Sequence, residues 1–290
     1  MPRTASRVVL VLLFGFLFLT APLAVDAQSR VTRGGLIRED VANRVGLTRS
    51  WFTRVQMDSA RSRVAHVVQH VSSTEAFSAW EVTHDRGKLI YTERNLDQFG
   101  DELGKEKAEK LAREKFESLE HAKLNPKLTA QVVPEITIYV MTDSGVVHAI
   151  DAQTGRTRWF TRVGNPNYPC EAPGANDKYV ALLNGSTLYV LNHENGEIVW
   201  TRQVRGAPGA GPVVTDRLVF VPMTNGAVEA YQLEDHRQVP WVYKSHGRAV
   251  VQPIWTGYAV AWPTDRGHLY VAEGNAAAIQ HVATRGHSAV

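Results

Sequence analysis

Residues 146–159 read Val-Val-His-Ala-Ile-Asp-Ala-Gln-Thr-Gly-Arg-Thr-Arg-Trp, and residues 187–200 read Thr-Leu-Tyr-Val-Leu-Asn-His-Glu-Asn-Gly-Glu-Ile-Val-Trp. Each begins as an apolar strand, passes through a polar turn that a glycine closes (Gly155, Gly196), and reaches a tryptophan four residues later (Trp159, Trp200). Asp151 heads the first of these turns, where a short carboxylate braces the backbone. The same step that separates Trp159 from Trp200 leads on to a third tryptophan, Trp241. A fixed period of this length is the mark of a repeat architecture.

Working outward, each copy is preceded by a second turn. Gly145, Gly185, Gly226 and Gly267 follow one another at spacings of 40, 41 and 41, each between two apolar runs, as in Tyr179–Leu183 and Thr187–Leu191. Asp-x-Gly and Asn-Gly between strands are hairpin signals, because the turn needs the positive φ that glycine supplies cheaply. A further short strand precedes each hairpin, as in Gly211–Val214 and Val250–Pro253. Four antiparallel strands in about 41 residues make one propeller blade. The expected fold is an all-β β-propeller with about four to five blades present, in which the tryptophans pack between blades. The third copy, Ala230–Trp241, loses its glycine, and the fourth has Val282 where the next tryptophan is due.

Weaker copies lie earlier. Asp85–Asn95 matches Asp265–Asn275 at six positions, with Gly87 at the turn, and Trp51–Val55 is identical to Trp159–Val163. Trp51 is therefore expected on an outer strand of an incomplete first blade, and residues 63–95 as the inner three strands of a second blade. Arg61–Val71 also admits a short helix. From Asp101 to Leu124 the apolar residues fall at three- and four-residue steps, which predicts an amphipathic helix inserted into the propeller. It is expected to lie across the rim and cover a blade edge, with partner docking as the alternative.

Arg3 and Arg7 precede an apolar run from Val8 to Leu19, followed by Val25-Asp-Ala27. This reads as a secretory signal peptide over 1–27. Left uncleaved, the run extended to Val25 is long enough to serve as an anchor. Residues 28–48 form a basic linker, solvated or attracted to an anionic surface, and 49–290 the propeller with its helical insertion at 101–124. Arg285-Gly286 resembles the way into another blade, so the propeller is expected to be incomplete at the C-terminus and the chain a fragment. Charged residues make up 21% of the chain and the net charge is only +3. That density is too low for a nucleic-acid binder, and export makes nucleic acid an unsuitable partner. The single cysteine, Cys170, excludes an internal disulfide and cysteine-rich metal sites.

The Ala149–Trp159 segment resembles the Ala-x-Asp-x-x-Thr-Gly-x-x-x-Trp motif of pyrroloquinoline-quinone (PQQ)-type propeller repeats, and Val190–Trp200 is a second copy. The resemblance covers residues 129–283 and, faintly, 50–95. It implies a fold shared by quinoprotein alcohol and glucose dehydrogenases and by the lipoprotein of the outer-membrane β-barrel assembly machine. The enzymes of that family use calcium, an aspartate base and often a vicinal cysteine pair, which one cysteine cannot form. No set of residues here matches their cofactor or calcium ligands. The assembly lipoprotein needs a lipid-bearing cysteine where this chain has Gln28. The expectation is an exported, periplasmic or secreted, non-catalytic binding or scaffolding module with a protein or envelope partner and no cofactor. The alternative is a quinoprotein-type oxidoreductase, or a degenerate relative of one, using PQQ and calcium.

Other candidates read as structural. His66 and His70 share a strand face without a third ligand. His148 and His268 occupy scattered strand positions. Cys170, in a loop entering a blade, shows no base beside it and reads as a buried thiol. The loops Gly206–Pro212 and Ser245–Arg248 enter inner strands and are expected on a face where partners bind.

Overall fold

A computed structural model describes residues 37–47, 49–85, 87–276 and 279–283. The expected signal peptide and the first part of the linker lie outside the described residues. The chain divides into two units, Met1–Arg49 and Ser50–Val290. In the first, a six-residue helix α1 spans Glu39–Arg44, with acidic residues in its first turn, where they favour the helix dipole. Arg38 pairs with Asp40 at 2.9 Å, and Arg49 donates to the Ile37 carbonyl at 2.7 Å.

Among the described residues the second unit is all-β apart from one long helix. In chain order its elements are β1 (Val64–His84), β2 (Gly87–Thr92), α2 (Gly104–His121), β3 (Lys127–Thr142), β4 (Val146–Asp151) and β5 (Thr157–Arg162). Then follow β6 (Gly174–Ala175), β7 (Tyr179–Asn184), β8 (Thr187–Asn192) and β9 (Ile198–Gln203). The series β10 (Val213–Val214), β11 (Leu218–Pro222), β12 (Ala227–Gln232) and β13 (Trp241–Lys244) comes next. The last is β14 (Ile254–Trp255), β15 (Ala259–Pro263), β16 (His268–Glu273) and β17 (Ile279–Ala283). The final three series are four-stranded antiparallel sheets in simple order, which we call blades II, III and IV. The innermost strand of blade IV is Ile254–Trp255 rather than Val250–Pro253.

Blade I is built differently from the expectation. Residues 63–95 are not three strands of their own blade. Residues 64–71, the first part of β1, form the innermost strand of the sheet completed by the second half of β3, β4 and β5. Residues 72–135 are an insertion between the first and second strands of that blade. Both β1 and β3 run out of the blade and pair again from Ala76↔Pro134 to Thr83↔Lys127, and β2 adds to β1 by a hairpin in which Gly87 faces His84. Gly87 thus turns a hairpin of the insertion, not of a blade. Its Asp-Arg-Gly signal is generic to tight turns and carries no information about which sheet the hairpin joins. At the junction, residues 72–75 of β1 oppose the single residue Glu135 of β3, a large bulge that redirects both strands.

Helix α2 does not cover a blade edge. It lays Ala108, Ala112 and Leu119 on Trp80 and Val82 of β1, flanked by Leu89, Tyr91, Phe116 and Leu128. The amphipathic pattern serves this small sheet, which without the helix could not bury its apolar face. On the solvent side Arg113 pairs with Glu109 at 2.7 Å, one turn away along the helix.

Three apolar layers join the blades. Tyr139, Met141, Ala149 and Trp159 meet Cys170, Val180, Leu182 and Leu191 between I and II. Leu183, Val190 and Trp200 meet Val219, Met223 and Tyr231 between II and III. Phe220, Val228 and Ala230 meet Val260, Trp262 and Tyr270 between III and IV. Blades II and III, each lying between two such layers, are therefore apolar on both faces, which is why their strands read as nearly continuous hydrophobic runs. In blade IV the register pairs Val271 with Gln280, so Gln280, not Val282, holds the repeat-tryptophan position, and Val282 is exposed.

Candidate functional site

The repeat tryptophans define how the blades dock. Trp159 Nε1 donates to the His193 carbonyl at 2.7 Å and Trp200 Nε1 to Leu233 at 2.8 Å, each from one blade to the turn of the next. The ring of Trp159 covers Gly196, where a Cβ would sit 2.3 Å from the indole, and Gly196 has φ +72°. Glycine is needed there for both reasons. Where the third turn lacks glycine, His236 stacks on Trp200 instead, 5.2 Å away and nearly parallel. Trp241 is half-buried, stacks on Tyr243 and meets Phe220 edge-on. Trp51 lies outside any strand, contrary to expectation. Its indole nevertheless donates to the Ala152 carbonyl at 2.7 Å and its ring covers Gly155, the contact that Trp159 makes one blade later. Asp151 Oδ1 accepts from the Gln153 and Thr154 amides and the Thr154 hydroxyl, which braces this turn. Gly145, Gly185, Gly226 and Gly267 all have positive φ at their hairpins.

The residues with chemical potential gather elsewhere, at and just beyond the C-terminal ends of the innermost strands. There a cleft of about 570 Å³ is lined by all four blades: Gln69, His70 and Thr74 from I, Asp177 and Lys178 from II, Asp216 from III, Trp255 and Gly257 from IV. A second cavity of about 310 Å³ continues past Asp216 and Trp255 to Tyr258 and Glu273. The loops Gly206–Pro212 and Ser245–Arg248 enter the inner strands at their opposite, N-terminal ends and do not line the cleft.

Asp177 anchors the cleft wall. Its carboxylate accepts from His70 Nε2 (2.8 Å), the Ser73 amide and hydroxyl (2.5 Å to Oγ) and the Thr74 hydroxyl (3.1 Å). Burial opposes ionisation, but the Ser73 and His70 bonds outweigh it and hold the carboxyl well below the usual range, as bonds to the charged form do. The ring of His70 meets His193 edge-on at 5.4 Å, and His193 Nδ1 bonds the buried Tyr139 hydroxyl at 2.7 Å. Burial, with His70 alongside, lowers His193, and burial raises Tyr139. These side chains tie blade I to blade II. By contrast, the side chains of Gln69, Lys178 and Asp216 make no hydrogen bond or ion pair within the chain among the described residues, so an amide, a cation and an anion stand free in the cleft that Trp255 also lines.

Behind the bulge lies an ionic cluster. Arg94, from the insertion, and Arg158, from β5, both grip the buried Glu135, and both reach Asp151 Oδ2, at 3.2 and 2.8 Å. Arg94 also stands over the Phe77 ring at 5.9 Å. Burial and the neighbouring Glu135 raise the carboxyl of Glu75. Two guanidiniums and two buried carboxylates, with Glu135 Oε1 ion-paired to Arg158 but accepting no hydrogen bond, hold geometry more than they add stability. Here they fix the insertion against the blade.

His66 and His70 do not converge. His66 Nε2 bonds the Cys170 carbonyl at 3.0 Å while His70 takes Asp177. Among the described residues no group of three or more His, Cys, Asp or Glu is disposed to hold a metal ion. Cys170 is buried, and burial raises its thiol.

Four-stranded sheets stacked through apolar layers, with tryptophans that dock one blade on the turn of the next, define a PQQ-like β-propeller. Residues 171–286, which hold blades II to IV, match the family described as outer membrane protein assembly factor BamB. The protein of that name from Burkholderia pseudomallei is 31% identical over 107 residues, which is 37% of this chain and 27% of that one. The Yersinia pestis protein is 26% identical over 106 residues, 31% of this chain and 26% of its own. The chain thus spans about a quarter of the length of the curated relatives it matches. The crystal structure of BamB from Moraxella catarrhalis superposes with a TM-score of 0.38 at 20% identity, over 49% of this chain and 48% of that one. The computationally designed Ika8 protein gives 0.44 at 13% identity, over 52% and 47%. The chain is accordingly a PQQ-like propeller that resembles BamB.

Proposed function

We propose that this chain is a non-catalytic protein-binding module of the cell envelope, of the assembly-factor kind. The observation that carries the reading is the match of blades II to IV to the BamB family. The basic, apolar and small-residue order of 1–27 supports export to the envelope. The cleft, lined by Trp255 and by the unpartnered side chains of Gln69, Lys178 and Asp216, supports recognition of a polypeptide, since opposite charges and an aromatic ring in one cleft match backbone and side-chain groups of a bound segment.

The test is a tagged full-length protein in its host. Co-purification of outer-membrane assembly proteins from the envelope, with lower levels of outer-membrane β-barrel proteins in the deletion strain, is the expected result. Stoichiometric uptake of PQQ with calcium by the purified protein, with dye reduction by alcohols or sugars, would overturn it in favour of a quinoprotein. So would residence in the cytoplasm.

A further inference from the structure

The insertion in blade I ends in a feature that neither the cleft nor the repeat uses. Between β2 and α2 the chain forms a short hairpin, closed by the Leu96↔Glu102 bridge and by the Asp97 amide donating to the Asp101 carbonyl at 2.8 Å. At its base the Leu103 amide donates to the Asn95 carbonyl at 2.8 Å. Asp97 Oδ1 accepts from the amides of Phe99 (2.9 Å) and Asp101 (3.0 Å), and the Gly100 amide donates to the Asp97 carbonyl at 3.0 Å. Every turn of this tip is thus fixed by its own hydrogen bonds. The Arg156 guanidinium, from the Asp151 turn of blade I, donates to the Gly100 carbonyl and holds the hairpin from outside. Arg94, at its root, is locked by Glu135 and Asp151.

At the apex stands Phe99, with 79% of its surface exposed. A phenylalanine in water at the end of a mobile loop means little. One on a tip whose backbone is held by its own hydrogen bonds and by Arg156 leaves association only the ordering of the side chain, not of the loop. Aromatic anchors at the centre of protein interfaces have this form. The hairpin carries three carboxylates, Asp97, Asp101 and Glu102, against the Arg156 guanidinium committed to the Gly100 carbonyl and the Lys107 charge that reaches Asp97; the acidic excess sets the electrostatic character of a complementary surface.

We propose that Phe99 is the anchor of a protein-docking tip whose partner presents an apolar pocket rimmed by lysine or arginine. This rests on the reading of the chain as a protein-binding module, and adds to it the contact and the chemistry of the partner's surface. The acidic rim steers approach, and the ring supplies the buried contact.

The experiment places the photo-crosslinker p-benzoylphenylalanine at position 99 of the full chain in its host, with position 117 on the exposed side of α2 as control. A dominant protein adduct at 99 and none at 117, mapping to an apolar pocket with a basic rim, is the expected result. With that partner purified, Phe99→Ala should weaken binding at least tenfold and leave the thermal midpoint unchanged, while Phe99→Tyr stays within about threefold. The double substitution Asp101→Lys, Glu102→Lys should slow association several-fold and flatten its dependence on salt. If the full chain binds its partner and Phe99→Ala binds equally well, the proposal is overturned and the protein-binding reading stands. An adduct to lipid or to a second copy of this chain also overturns it. If the full chain captures no envelope protein at all, both fall.

Discussion

Trp200→Ala tests the docking of one blade on the next. The side chain is 6% exposed and sits in the layer with Leu183, Val190, Val219 and Tyr231. A buried tryptophan removes about 150–250 Å² from water. At about 25 cal/mol per Å² that is roughly 4–6 kcal/mol, of which the alanine methyl retains a part. The indole bond to the Leu233 carbonyl is also lost. That adds about 1 kcal/mol, because the carbonyl is left in the same layer. The expected loss is about 4 kcal/mol, within the ~3–5 kcal/mol typical of deleting a large buried aromatic. For a unit of this length, about 2–4 °C of midpoint per kcal/mol makes this a fall of roughly 8–16 °C. Urea unfolding followed by far-ultraviolet circular dichroism gives the free energy directly. Trp200→Phe, which keeps an aromatic ring and drops the N–H, separates the contributions and should cost about 1–2 kcal/mol. A loss below about 1 kcal/mol for the alanine variant, or equal losses for both, would refute the inter-blade role.

Three further outcomes are expected. Glu135→Gln leaves two half-buried guanidiniums sharing one carboxylate, and should cost about 3 kcal/mol and expose 72–135 to limited proteolysis before the blades unfold; simultaneous loss of both would show that the insertion is not separately latched. The folded-state pKa of Asp177 is depressed, so its contribution is full above the ordinary carboxylate range near pH 4 and fades as pH falls through the lowered value. The difference in urea midpoint between wild type and Asp177→Asn should therefore shrink as pH falls below about 4; a difference that grows from about pH 4 downward contradicts the assignment. The Cys170 thiol is buried and raised, and should react with a disulfide reagent only on unfolding, seen as a rate that tracks urea rather than reagent concentration.

The hairpins of blades II to IV were legible because their information is local. A glycine at positive φ and two apolar runs a few residues apart are enough, and Trp159 and Trp200 announced the layer between blades by their spacing. Blade I was not legible, because its inner strand pairs with residues that stand beyond the whole insertion. Nothing in residues 64–71 names residues 136–142 as their partner, while Asp85–Asn95 imitates a repeat through turn chemistry shared by all tight hairpins. The identity of Trp51–Val55 with Trp159–Val163 did carry a true signal, for the docking contact on Gly155, although no strand forms there. The cleft was invisible for a simpler reason. The innermost strands of blades II to IV are two residues each, and segments so short have no period to detect.

The continuity of β1 and β3 through the bulge bears on the order in which this chain acquires its shape. Blades II to IV can zip up from neighbours within a single repeat, whereas Val71 must find Ile136 across the whole of residues 72–135. Closing such a loop unaided is slow and entropically unfavourable. Residues 76–83 and 127–134 shorten it. Once they pair under α2, the two ends emerge side by side and already antiparallel, and the inner strand of the first blade has only to resume the ladder beyond the bulge at residues 72–75. On this ground the insertion is expected to act as the nucleus for the blade it interrupts. Destabilising Trp80 or Val82, which lie far along the chain from β4 and β5, should delay that blade's assembly before it affects any other.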